Sequence, residues 1–120
     1  MEQYVFKGYA PKKPNDKTAI FTIFDGKYVF NGHATKENSS KDIAFTIFDN
    51  KFVFEGLAKK DDMAQDMAFT IVADKYIFKK YATLKSNVND AVLTILQGKY
   101  IFKGYAKDDT PPTEAIMTIY

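Results

Sequence analysis

Two short apolar runs, split by a two-residue break and followed by about ten mostly polar residues, recur along this chain at a fixed interval of 24 residues. Phe21, Phe45, Phe69, Leu93 and Met117 fall on that interval, and so do Phe6, Phe30, Phe54, Phe78 and Phe102. Five intervals account for all 120 residues without an insertion. The frame starts and stops mid-unit, so Tyr4-Val5-Phe6-Lys7-Gly8-Tyr9-Ala10 is the second half of a unit whose first half is Met117-Thr118-Ile119-Tyr120. An open repeat array needs polar caps at both ends. None is visible, which predicts a closed five-fold architecture in a single domain over residues 1–120.

The break reads Asp25-Gly26, Asp49-Asn50, Ala73-Asp74 and Gln97-Gly98. Asp-Gly is a strong hairpin signal because a type I′ turn needs positive φ at both central residues. Each unit is therefore expected to be a β-hairpin. A two-residue turn would set Phe24 opposite Lys27, Ile23 opposite Tyr28, Thr22 opposite Val29 and Phe21 opposite Phe30. Strand side chains alternate between faces, so this register puts Phe21, Ile23, Tyr28 and Phe30 on an inward core face. Thr22, Phe24, Lys27, Val29 and Asn31 then point outward. By the same register Ile119 should face Tyr4, the N- and C-terminal strands pairing to complete the fifth hairpin.

Ten short strands close in two ways. One is an all-β, pseudo-five-fold, ten-stranded antiparallel barrel, which removes every sheet edge. The other is a small five-bladed propeller with two-stranded blades. Propeller blades normally carry four strands, and two-stranded blades would bury little between neighbours, so the barrel is preferred.

Three positions vary little between units. Ala10, Ala34, Ala58, Ala82 and Ala106 are identical, and Gly8, Gly32, Gly56, Lys80 and Gly104 precede them by two. Small residues at a strand exit suggest a close backbone approach or a bulge. Thr22, Thr46, Thr70, Thr94 and Thr118 read as ordinary β-branched sheet residues.

Composition narrows the function classes. Eleven Phe and eight Tyr indicate a packed core. The formal charge of +2 comes with no arginine, and specific reading of phosphate or guanine leans on the guanidinium fork, so sequence-specific nucleic-acid binding is not expected. Without cysteine there is neither a disulfide framework nor thiolate chemistry. No apolar run approaches the roughly 20 residues of a membrane helix. The first ten residues match the repeat and lack the apolar stretch of a leader, so a soluble chain without a membrane partner is expected.

Candidate chemistry is sparse. His33 is the lone histidine and has no metal-ligand spacing around it. Asp61-Asp62 and Asp108-Asp109 supply fewer oxygens than calcium needs. Asn38-Ser39-Ser40 fits the glycosylation pattern. Asp42, Asp66, Asp90 and Glu114 enter the first strand of four units, where they could ring a cation or cap loop amides. No acid, base and nucleophile come together, so an enzyme is not expected, nor a cofactor or metal.

The long connections 11–17, 35–41, 59–65, 83–89 and 107–113 diverge on a repeated scaffold, and binding commonly resides in such loops. At the strand exit, Tyr9, Tyr81 and Tyr105 stand beside Lys7, Lys79 and Lys103, and the register puts both sets outward. Exposed Tyr beside Lys suits a glycan or protein contact. A belt of Phe24, Phe48, Val72, Leu96 and Tyr120 is also placed outward and could join copies into a homo-oligomer. The sequence thus points to a non-enzymatic binding module with several similar weak sites for a glycan or protein surface. A ligand-free structural or engineered scaffold and a barrel carrying a small apolar ligand are the alternatives.

Overall fold

The computed structural model describes residues 2–35, 37–59 and 67–120. Among them are β1 (Glu2–Lys7), β2 (Phe21–Phe24), β3 (Tyr28–Asn31), β4 (Ile43–Phe48), β5 (Phe52–Glu55), β6 (Phe69–Val72), β7 (Tyr76–Lys79), β8 (Leu93–Leu96), β9 (Tyr100–Lys103) and β10 (Met117–Ile119). Each strand pairs antiparallel with its chain neighbours, and β1 pairs with both β2 and β10, closing a ten-stranded barrel. The Cα extents of 39 × 37 × 17 Å make it a disc.

The turns take positive φ at both central residues, as at Asp25 (57°) and Gly26 (63°), and the Lys27 amide donates to the Phe24 carbonyl at 2.9 Å. Type I′ geometry is thus present. The ladder resumes one residue later than a two-residue loop requires, with Phe24 opposite Tyr28, Ile23 opposite Val29, Thr22 opposite Phe30 and Phe21 opposite Asn31. Lys27 is the extra residue. Its carbonyl accepts the Ile47 amide of the next hairpin at 2.7 Å, so it belongs to the seam between units.

That one-residue shift corrects the expected faces, because the side-chain period is two. Phe21, Ile23, Val29 and Asn31 share one face; Thr22, Phe24, Tyr28 and Phe30 share the other. On the first, Phe45 and Phe69 of neighbouring units meet edge to face with centroids 6.2 Å apart. Rings two strands apart come that close on a concave wall, so this face points to the axis. Tyr28 and Phe30, expected inside, point outward.

The outward face is nevertheless the better buried, because the long connections fold back over it. In the first complete unit Phe24, Phe30, Ala34 and Ile43 form a buried cluster with Tyr28 against it, and each of the other four units has its equivalent. The belt expected to be free surface is therefore occupied: Phe24, Val72 and Leu96 are buried, and Phe48 and Tyr120 pack against their clusters.

The repeated threonines organise this layer. Thr22, Thr46, Thr70, Thr94 and Thr118 are all 0% exposed. The Thr22 hydroxyl donates to the Gly32 carbonyl at 2.8 Å and accepts the Ala34 amide at 3.0 Å. The same pair of bonds recurs at Thr46, Thr70, Thr94 and Thr118. Gly32 has φ +66°, and a Cβ there would meet nothing within 4 Å, so glycine serves for its backbone conformation rather than for space. Lys80 adopts φ 65° in its place. The register irregularity lies on the facing strand, where Ile43 instead of Ala44 opposes Phe30.

At the chain ends Tyr4 and Tyr120 exchange both backbone hydrogen bonds, at 2.7 and 2.8 Å, in the place of the Phe24–Tyr28 pair. The terminal strands do complete the fifth hairpin. Ile119 faces Val5 instead of Tyr4, by the same one-residue shift.

Candidate ligand-binding surface

The residues proposed from sequence are divided by the register. Lys7, Lys79 and Lys103 pair with Met117, Phe69 and Leu93, which puts them on the axial face at its rim. The prediction that they point outward with the tyrosines is therefore corrected. Tyr9, Tyr81 and Tyr105 follow the positive-φ residue that ends each strand. Tyr9 and Tyr105 lie over the outward face of the preceding unit.

Their contacts form a series. Tyr105 stacks on Tyr76 at 6.0 Å, Tyr9 lies against Tyr100 at 5.9 Å, and His33 stacks on Tyr4 at 5.9 Å. Each is an aromatic side chain from one unit laid on the outward tyrosine of the unit before it. Lysines brace the same seam: Lys27 Nζ lies 5.2 Å from the Tyr28 ring centroid and 5.0 Å from that of Phe48, and Lys99 Nζ lies 4.2 Å from that of Tyr120. His33 thus has a packing partner, which sequence reasoning missed because the contact crosses between units. The signal available was that aromatic rings occupy four of the five equivalent positions.

Packing leaves these rings partly free. Tyr9 and Tyr105 are each 39% exposed, Tyr81 is 58% and Leu57, which holds the equivalent position, is 54%. Two clefts adjoin the series. One, of about 600 Å³, brings Tyr105 and Lys103 together with Lys107, Asp109, Glu114 and Ile116. The other, of about 500 Å³, lies over Tyr28 and is bounded by Leu57, Thr35, Asn38 and Ser40, with Phe24, Phe30 and Ile43 behind. Lys103 therefore lines one cleft with a tyrosine of the predicted set.

The acidic positions take a structural place. Asp42, Asp90 and Glu114 each end a short 3-10 turn before the next strand. The side chains of Ser39 and Asn87 cap two of these turns, and Asn15 caps the turn over Asp16–Thr18. Asp61, Asp62 and Asp66 lie outside the described residues. Among the described residues no three His, Asp or Glu side chains are grouped as a metal site would need. Asn38 of the glycosylation pattern accepts at Oδ1 from the Thr35 amide and hydroxyl, at 3.1 and 3.2 Å.

Two perturbed groups stand at the seams. Tyr4 is pushed up to about 12, chiefly because its hydroxyl donates to Glu2 Oε2 at 2.6 Å, with burial and the charges of Glu2 and Asp16 adding to it. Lys75 is raised by its hydrogen bond to Asp108 of the following unit, an ion pair at the surface.

Comparison with protein-family models, with curated proteins and with solved structures finds no match to this chain. The functional reading accordingly rests on the chemistry of this surface.

Proposed function

We propose that this protein is a non-enzymatic binding module that engages a glycan through several similar weak sites around the outward face of its ring. The observation that carries the reading is the repeated, half-exposed side chain at the strand exit: Tyr9, Leu57, Tyr81 and Tyr105 lie at equivalent positions of four units. A ring needed only for packing is normally buried more completely. Aromatic faces flanked by hydroxyl, amide and ammonium groups suit a ligand that is apolar on one side and hydrogen-bonding on its edge.

Five-fold repetition makes weak sites useful. Sites held on one rigid disc bind a branched or clustered ligand with an avidity that can exceed the single-site affinity by about 10² to 10⁴. The carrier reading gains less support, since Val5, Val29, Val53 and Ile101 are buried on the axial face and neighbouring phenylalanines already meet there.

The experiment is a glycan array probed with purified protein, run beside a pull-down on immobilised protein mixtures. Binding to a defined set of glycans supports the proposal. Capture of a specific protein with a silent array moves the ligand to a protein surface, and silence in both leaves a ligand-free scaffold as the better reading.

A further inference from the structure

Three of the five seams carry an inter-unit stack, and of the two that do not, Tyr28–Leu57 and Phe52–Tyr81, the first opens into a cleft. Tyr4, Tyr76 and Tyr100 each carry a ring from the next unit at 5.9–6.0 Å. Tyr28 holds the same position in its own unit, but the residue that would cover it is Leu57, 54% exposed, and the 500 Å³ cleft opens there. That volume lies within the range of small-ligand sites, about 300–1,000 Å³.

The lining selects a ligand class. Tyr28, Phe24, Phe30, Ile43 and Leu57 supply an apolar floor, and Thr35, Asn38 and Ser40 supply neutral polar groups at the edge. The two bonds from Thr35 fix the Asn38 carboxamide through its oxygen, leaving the amide nitrogen as a donor. A flat ring with an apolar face and hydroxyls around its edge satisfies both parts at once. A purely aromatic ligand would leave the Asn38 amide nitrogen without an acceptor, and the edge groups Thr35, Asn38 and Ser40 carry no charge to favour an ionic one.

We infer that the cleft over Tyr28 is a saccharide subsite that takes one pyranose ring of a neutral sugar, seated where three other units place a protein ring. The inference rests on the glycan reading above and names the unit that carries its strongest site. Leu57→Tyr should supply the missing ring from within, stacking on Tyr28 as Tyr105 does on Tyr76. It would raise thermal stability and close the subsite in one change.

The test is an amide-resonance titration of the intact protein with methyl glycosides of glucose, galactose, mannose and N-acetylglucosamine. At least one should shift Tyr28, Asn38 and Leu57 saturably. Asn38→Ala should weaken that binding roughly three- to tenfold, the loss of one neutral hydrogen bond. Leu57→Tyr should abolish it while the melting temperature rises. Glycosides that perturb Tyr9 or Tyr105 but leave Tyr28 and Asn38 unmoved would overturn this inference and spare the glycan reading. No perturbation anywhere, together with a silent array, would overturn both. Undiminished binding by a stably folded Leu57→Tyr variant would also refute the subsite.

Discussion

Thr22 and Gly32, ten residues apart, are tied side chain to main chain: the hydroxyl donates to the glycine carbonyl at 2.8 Å and accepts the amide of Ala34 at 3.0 Å. The bond pins the strand exit, and hence the start of the long connection, to the middle of the partner strand. Thr22→Val keeps the shape but strands a partly buried carbonyl and a buried amide, at up to about 1–3 kcal/mol each. A loss of roughly 2–4 kcal/mol is expected in urea unfolding, with Thr22→Ser losing about 1 kcal/mol or less.

The residue two places before the constant alanine has positive φ in every unit, and only Lys80 bears a side chain there. Left-handed backbone costs an L-residue about 1–2 kcal/mol, whereas glycine costs about 0.5–1 kcal/mol in unfolded-chain entropy. Lys80→Gly should therefore stabilise slightly, by about 0.5 kcal/mol, and Gly32→Ala should destabilise by a similar amount or more. Paired thermal melts check the opposite signs.

Phe24 and Phe30 meet edge to face at 5.5 Å in one buried cluster. Alanine at either position should cost about 3–5 kcal/mol, whereas Asn31→Ala at the exposed strand end should stay within about 0.5 kcal/mol. Equal unfolding free energies for the two phenylalanine variants would support the observed register, since the register expected from sequence puts only Phe30 inside.

That contrast shows what the sequence could convey. The 24-residue period, the positive-φ turn pairs, the hairpins and the ring closure were all legible, because each is carried by residue identity at a fixed spacing. The faces were not. A two-residue type I′ loop and the same turn followed by an extra residue share one Asp-Gly signal, so Lys27 cannot be assigned from it. Nor does Phe21-Thr22-Ile23-Phe24 alternate between polar and apolar, so nothing in the strand fixes its register. The invariant Thr and the apolar positions Ala19, Ile43, Met67, Ala91 and Ala115 at or just before each first strand were the available clue. A connection ending in a buried apolar residue must cover something, and it covers the outward face. The stacking of His33, Tyr9 and Tyr105 crosses between units, where no local pattern reaches.

Tyr4 donates to Glu2 and is held up to about 12 by that bond first, then by burial and neighbouring carboxylates. A raised pKa means that the folded state holds the proton more tightly. The associated stability is complete below the ordinary tyrosine value of about 10 and is lost as pH rises through the folded value near 12. In an ultraviolet titration of the eight tyrosines, one should ionise last. Glu2→Gln should bring it back toward the others.

The central claim is that the half-exposed strand-exit rings form a multivalent binding surface. Tyr81 tests it most cleanly, because it is the most exposed of the three tyrosines at 58%. Tyr105 also packs on Tyr76, so its loss mixes binding with stability, by about 0.5–1.5 kcal/mol for the aromatic pair. The decisive measurement is glycan-array binding of the wild type and of Tyr81→Ala, with the melting temperature of each. The account predicts glycan binding by the wild type and a severalfold loss of avidity in Tyr81→Ala at a nearly unchanged melting temperature. Unchanged binding with a clearly lowered melting temperature would contradict it and make these tyrosines packing residues of a scaffold.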